Sequence, residues 1–584
     1  MSLLLAPWHR QITIGKLGRD PAVAAQFRWT VVAAIGFSAL AGGATACTQP
    51  QRRSGDFYDV REFGARSDGK TKSTGAIQRA IDAAVAGGGG TIFFPAGHFL
   101  TGPIHLKSNT TLFLDAGAVL KFSQDFDDYL PMVFSHWEGT EVTNFSPLIY
   151  GNWLENVAIH GRGVLDGQGE AWWNYFKALE RDSGGRGGRK AESRWQREFA
   201  RLNQGIPLPD DTRRIEMGFL RPPFIQLLNS RNVSIKDVTI RNSPFWTVNP
   251  VYCDNVTIAG VTIENPDDAP NTDGIDPESC SNVHISDCHI SVGDDCVCIK
   301  SGRDEPARRI SRPAENHTIT NCTMLRGHGG VVIGSEMSGG VKNVAISNCV
   351  FDGTDRGIRL KSTRGRGGTI ENVRVSNIVM RHIREEAITL NLHYTNAPPE
   401  PVSMRTPHFR GIHLSGISGE AEKAGTFLGL EESPLEDVSL SDVALSTKKG
   451  LTIRDAKDVE LEMVRIDAED GPAIIAERTE NLGLANVRPA APRPGTPVIV
   501  LQNVKRSYIR GLFAAANTDV FLQVTGPGST GIVVDGGHLL GAGNPVLVAA
   551  DTNEGAVLVT GSVRGGASST NLARHTNTGV RGSP

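Results

Sequence analysis

A nine-residue strand signature recurs along this chain, an Asn or Asp followed by alternating apolar residues. NVSIKDVTI begins at Asn232, NVTIAGVTI at Asn255, NVHISDCHI at Asn282, NHTITNCTM at Asn316, NVAISNCVF at Asn343 and NVRVSNIVM at Asn372; DVSLSDVAL at Asp437 and DVELEMVRI at Asp458 continue the series. The first six starts are 23, 27, 34, 27 and 29 residues apart. Alternation of this kind marks strands with one buried face, and a recurring period of this length marks a solenoid whose loops differ from coil to coil. The sixth residue after each start is Val238, Val261, Cys288, Cys322, Cys349, Ile378, Val443 and Val464, one inward slot filled with small apolar side chains. The expected fold is therefore all-β, a right-handed parallel β-helix. A solenoid grows by adding coils, so 584 residues with 39% hydrophobic content fit one long domain better than several short ones.

Within this register the stretch from Ala269 to Gly302, APNTDGIDPESCSNVHISDCHISVGDDCVCIKSG, sets Asp273, Asp294 and Asp295 among small and β-branched residues instead of in a charged surface tract. GHGGVVIGSE follows from Gly327 and DRGIRLKS from Asp355. Counted from the repeat starts, Asp294 and His328 each lie 12 residues into a coil, Asp295 lies 13 in, Asp273 lies 18 in, and Arg359 and Lys361 lie 16 and 18 in. All six fall on the later strand of four consecutive coils. Arg359 and Lys361, two apart, share a face, with Leu360 on the other. Clustered carboxylates cannot all ionise together, and one proton-holding acid beside an ionised base is what breaking a glycosidic bond requires. An isolated Gly-Asp-Asp is more simply a solvated turn; it is the shared register that points to a site.

NTDGID, GDDCV, GHGG and RLK, in this order, resemble the four signature blocks of glycoside hydrolase family 28, the polygalacturonases and their relatives. Similarity extends through RPPFIQLLNSRNVSI, SPFWTV and RGRGG, covering about Asp56 to Asn396. The resemblance implies an inverting hydrolase on a right-handed β-helix. It implies that Asp294 is the proton donor, that Asp273 and Asp295 hold the attacking water, and that His328 tunes the acid and touches substrate. It implies that Arg359 and Lys361 grip a sugar carboxylate, with Asn271 of the first block and Tyr394 as further substrate contacts. No cofactor or metal is implied. The expected partner is an anionic pectic polysaccharide or oligogalacturonide, which suits a forked guanidinium beside an ammonium. Inversion predicts the acid and its base partner roughly 6.5 to 9.5 Å apart.

Alternatives are a rhamnogalacturonan or other galacturonoside hydrolase, a calcium-dependent lyase of the same fold, and a non-catalytic β-helical carbohydrate-binding or structural protein. Relatives acting on rhamnogalacturonan generally lack the GHG histidine and the basic lysine, so His328 and Lys361 favour the polygalacturonate side. The 33 residues from Asp295 to His328 include RDEPARRISRP, an insert resembling bacterial exo-acting branches. Its arginines, at 303, 308, 309 and 312, extend the anionic subsites, or cap the groove so that only chain ends enter, or form a solvated charged loop.

The domain plan is an export segment over 1–46, a linker over 47–55, the catalytic β-helix over 56–400, further coils with an end cap over 401–564, and a loose tail over 565–584. Arg28 precedes TVVAAIGFSALAGGATA, a 17-residue apolar run closing on Ala44-Thr45-Ala46, the form of a signal peptide. Cys47 would permit lipidation, although the flanking residues match that signal poorly. The protein is expected to be exported, periplasmic or secreted, without stable membrane insertion in its mature form. Ser73 or Thr74 is expected to cap a helix with Ile77, Ala80, Ile81, Ala84 and Val85 on one face, covering the solenoid's N-terminal end. Between Trp172 and Arg221 a charged, partly helical insertion leaves and rejoins the wall and suits a lid or subsite role. Seven cysteines lie between Cys253 and Cys349, and equivalent ladder positions favour buried thiols over disulfides or zinc. With 60 basic against 63 acidic residues, nothing suggests nucleic-acid binding, and a polyanion must be held by local cations. The sequence leaves the oligomeric state open.

Overall fold

The chain stacks as coils, each contributing short strands to parallel ladders that run the length of the molecule. A computed structural model describes residues 57–184, 192–206, 219–488, 495–561 and 573–575; the export segment, Cys47 and the linker lie outside the described residues, as does nearly all of the tail. One ladder pairs Arg231–Lys236, Asp254–Ala259, Ser281–Ser286, Ala314–Thr320 and Val341–Asp352 in parallel, with Val233, Val256, Val283, His317 and Val344 in register. A second pairs Thr239–Arg241, Thr262–Glu264, His289–Ser291 and Thr323–Arg326. The third, which carries the site, pairs Ile225–Leu228 with Val248–Val251, continues through Ile275, and pairs Asp295–Ile299, Gly329–Ile333 and Ile358–Lys361. This is the expected right-handed parallel β-helix.

The predicted inward column is buried throughout, from Val238 to Val464. The repeated Asn has its own physical reason. Asn232, Asn255, Asn282, Asn316, Asn343 and Asn372 all adopt left-handed backbone, φ +54 to +61°, which Asn tolerates better than other residues with a Cβ. Their side chains link coil to coil: Asn255 Nδ2 donates to Asn232 Oδ1 at 2.8 Å, Asn343 to Asn316 at 3.1 Å, and Asn372 to Asn343 at 2.8 Å.

Helix α1 (Thr74–Ala86) covers the N-terminal end as expected, with Ile77, Ala80, Ile81 and Ala84 buried and Ser73 at the N-cap position. Two details differ. Val85, assigned to the buried face, is exposed, and Ala76 is buried in its place, so the five-residue stripe is turned toward Ala76. Ser73 makes no capping bond; its Oγ accepts from Arg66 N at 3.0 Å instead. The insertion after Trp172 forms α2 (Glu170–Gly184) and α3 (Arg194–Leu202), seated on an aromatic cluster in which Trp172 packs 4.3 Å from Phe126 and 5.3 Å from Phe145. Coils continue beyond residue 400: His408–Leu428 pairs with the strand before it, with register shifts between Met380 and Glu386, and with Leu435–Ala485 after it. The seven described cysteines are free and buried.

Candidate active site

Register alone brings the acids together. Ile275 bridges Val297 in parallel and Gly274 N donates to Asp295 O at 2.9 Å, so Asp273 and Asp295 face one another across adjacent coils, with Asp294 one residue earlier at the turn. Oxygens of Asp273, Asp294 and Asp295 all lie within 4.8 Å of one another. The wider separation expected of an inverting pair is therefore not found. Asp273 and Asp295 are cross-strand neighbours in a parallel ladder, whose strands stand about 4.8 Å apart, and Asp294 adjoins Asp295 in the chain.

The three carboxyls have different surroundings. Asp295 is buried; Lys361 Nζ donates to its Oδ2 at 2.8 Å and Arg359 Nη1 lies 3.6 Å from its Oδ1. Burial would raise this carboxyl, but Lys361, Arg359 and Lys300 together outweigh it and hold it well below the usual range. Asp273 is also buried, with Lys300 Nζ 3.4 Å from its Oδ2. Burial, reinforced by the Asp294 charge, pushes it up to about 8 against the opposing pull of Lys300. Each keeps one buried oxygen, Asp273 Oδ1 and Asp295 Oδ1, without a hydrogen-bond partner. Asp294 is the most exposed of the three, at 18% of its side chain, and its Oδ1 accepts from Asp295 N at 2.9 Å. His328 Nδ1 sits 3.0 Å from the same Oδ1, and this bond to Asp294 raises the imidazole to about 9. The arrangement sets a partly exposed carboxyl, in contact with an imidazole, beside two buried carboxyls that each keep one oxygen free of hydrogen bonds. Three carboxylates so placed are also a donor set that a hard cation could use, but ammonium groups already neutralise two of them.

The remaining expected contacts fall unequally. Tyr394 is half-exposed, its ring 5.7 Å from the Arg359 guanidinium carbon and 5.3 Å from Lys361 Nζ, so the three form one cationic and aromatic patch. Asn271 has left-handed backbone, and its Oδ1 accepts from the buried Arg221 at 2.8 Å; it shapes the turn that leads into Asp273. Arg221 lies over the Phe176 ring of α2 at 4.2 Å, which places the insertion at the border of the site. Most of the insert arginines serve the scaffold. Arg303 lies 3.3 Å from Glu138, Arg308 donates to the carbonyls of Gly365 and Arg366, and Arg312 donates to Tyr252 O. Arg309 is exposed and pairs with Glu305. The subsite-extending reading therefore gives way to one in which α4 (Asp304–Ile310) is tied down as a wall.

Sequence patterning missed two parts of the site. One is the antiparallel hairpin Val133–Trp137 with Thr140–Asn144, laid over the N-terminal end of the site's ladder. His136 Nδ1 meets Glu278 Oε2 at 2.8 Å and Ser135 Oγ donates to Gln226 Oε1 at 2.7 Å, all fully buried. The other is Lys300, the one lysine in a run of buried residues, DCVCIK, which is itself a signal because buried lysines are rare without partners.

A family model described as "Glycosyl hydrolases family 28" matches residues 213–466, and one described as "Rhamnogalacturonase A/epimerase, pectate lyase-like" matches residues 57–169. A probable polygalacturonase of Vitis vinifera is 32% identical over 394 residues, 66% of this chain and 73% of the grape protein. The chain belongs to glycosyl hydrolase family 28. An exo-poly-alpha-D-galacturonosidase of Dickeya chrysanthemi is 28% identical over 58% of this chain and 57% of its own length. Among solved structures, a hyperthermoactive exopolygalacturonase from Thermotoga maritima is 37% identical with a TM-score of 0.63, covering 70% of this chain and 91% of that one. The family match runs to residue 466, past the boundary at 400 drawn from the signature blocks, in keeping with coils that continue through it.

The family's GHG block has a steric basis here. Gly327 has φ +142°, and a Cβ at this position would stand 2.4 Å from Asp294 O. Gly327→Ala is expected to displace His328 and Asp294 together and to lower kcat by about 100-fold, the scale of an ångström-sized misplacement. A variant that melts like the parent and keeps full activity would show that this contact does not hold the pair.

Proposed function

We propose that this family 28 hydrolase cleaves α-1,4-galacturonosyl bonds of polygalacturonate and its oligomers from a chain end, with inversion. The observation that carries the reading is the contact of Arg359 and Lys361 with Asp295 on one side and the Tyr394 ring on the other: a cation pair beside the reacting centre suits a sugar bearing a carboxylate. Asp294 gives its proton to the glycosidic oxygen as the C–O bond breaks. A water accepted by Asp273 Oδ1 and Asp295 Oδ1 attacks the anomeric carbon from the opposite face and gives its proton to that pair. One water is consumed, and one reducing end and one hydroxyl result.

Exo action is supported by the hairpin. Gln226 and Asn249 face outward in the row leading to Asp276, with Asn249 Nδ2 donating to Asp276 O at 2.9 Å, yet both are fully buried beneath it. Arg303 fastens the far side: its N donates to Gly139 O at 3.1 Å. A polymer lying along the ladder would meet this wall within about two coils of the acids.

Export fits a polymeric substrate, and the apolar run ending at Ala46 supports it. Among the described residues no helix is long and apolar enough to cross a membrane.

The test is product analysis on polygalacturonate with chelator present. Monomer from the first time point with slow loss of viscosity is expected; early mixed oligomers would overturn the exo reading, and products only from rhamnogalacturonan would overturn the substrate. Proton NMR of the first-formed anomer checks inversion independently.

A further inference from the structure

Lys300 takes no part in the reaction as written, yet it is among the most heavily committed side chains in the molecule. Its ammonium is 3.4 Å from Asp273 Oδ2, 4.0 Å from Asp276 Oδ1 and 3.6 Å from Glu336 Oε2, and it lies 4.0 Å above the centre of the Trp246 ring. Trp246 ends a stack that runs through Phe245, 5.2 Å away, to Trp137 of the hairpin, a further 5.3 Å on. The site is thus built with a near-symmetry. Asp295 has Lys361 on Oδ2 and an Oδ1 with no hydrogen bond, Arg359 standing 3.6 Å from it; Asp273 has Lys300 on Oδ2 and an Oδ1 with no hydrogen bond. Asp294 has neither lysine, and its partner is His328.

We infer that Lys300 is a positioning residue for the base: held over Trp246, it fixes Asp273 by its Oδ2 and favours the charged form of that carboxyl against burial and Asp294, so that the free Oδ1 can take a proton from the attacking water. The inference rests on the proposed roles of Asp273 and Asp294.

The charges facing Asp273 make this necessary. Asp294 and Asp295 oppose its ionisation, and Lys361 favours it but is engaged with Asp295. Asp276 is fully buried with neither oxygen hydrogen-bonded, and burial pushes it well above the usual carboxyl range; it is a neutral neighbour that leaves the ammonium to others. Glu336 competes for Lys300 but is also served by Arg366, 3.6 Å away, and feels Arg303. The Cys298 thiol lies in the same field, and burial keeps it protonated. Without Lys300, burial and the Asp294 charge act on Asp273 with less opposition, its carboxyl rises further, and a protonated base cannot take a proton from water.

Lys300→Met is the test, with kcat and kcat/KM measured across pH on an oligogalacturonide. The expected result is a loss in kcat of at least tenfold with KM within about threefold, and an acid limb of kcat/KM displaced upward by at least one pH unit. Lys300→Arg should return the limb toward its original place. Glu336→Gln gives the opposite sign: releasing the ammonium toward Asp273 should move the limb downward, and this variant serves if Lys300→Met does not fold. A uniform loss at every pH with the limb unmoved, or an unmoved limb in Glu336→Gln, overturns the inference. If the unmodified protein yields no galacturonate, it is the proposed function that fails instead.

Discussion

Replacing Asp294 by asparagine is expected to lower kcat on polygalacturonate by about 10³-fold, within the range that a positioned general acid contributes, while leaving the fold intact. The side chain is partly exposed and makes two contacts, with Asp295 N and His328, and an amide oxygen can still accept the first. His328 should change measurably, because its raised value rests first on the hydrogen bond to the Asp294 carboxylate. In the variant the imidazole returns toward its ordinary range near 6.5, readable as a shift in its rate of modification by diethylpyrocarbonate with pH. Activity above a hundredth of the parent, from a preparation free of contaminating enzyme, would remove Asp294 from the role of acid.

The largest effect on stability is expected at Lys361. Lys361→Met leaves Asp295 buried with Arg359 at 3.6 Å and no hydrogen-bonded cation. Breaking a buried pair by removing one partner costs about 3–5 kcal/mol. The pH dependence has a definite sign. In the parent Asp295 is held below its unfolded value, so the pair contributes stability that is present above that value and lost only as pH falls through the lower folded one. In the variant burial gains the upper hand, the folded carboxyl rises, and the deficit is greatest at neutral pH and shrinks on acidification. Melting the two proteins side by side from pH 8 to pH 5 checks this; a constant gap would mean that Lys361 contributes by packing and not by charge.

The coils and the acid cluster were legible from sequence because both follow from register. The alternation after each Asn locates the inward column, and counting from those starts puts Asp273, Asp294, Asp295, His328, Arg359 and Lys361 on one wall, where the structure places them. What could not be read is what depends on loops. The hairpin at 133–144 folds back over strands 91 to 142 residues later in the chain, and its contacts, Ser135 with Gln226 and His136 with Glu278, leave no periodic trace. Lys300 was passed over since a lysine ending a strand usually reaches solvent, and only the third dimension reveals three acids around it. The carboxylate spacing failed for a related reason: general expectations for inverting enzymes presume two acids facing across a cleft, whereas here they are neighbours in one ladder.

The seven buried thiols have a consequence for observing this molecule in motion. All fall between Cys253 and Cys349, in the coils that carry the acids and none of the distant ones. Once Cys47 is replaced, a thiol reagent too large to enter a packed interior can reach the other seven only when those coils part, so its rate of reaction under native conditions counts local openings of the catalytic segment. The protein thereby carries its own clock for breathing at the working coils, one that can be compared with the melting of the whole and read again with an oligogalacturonide bound.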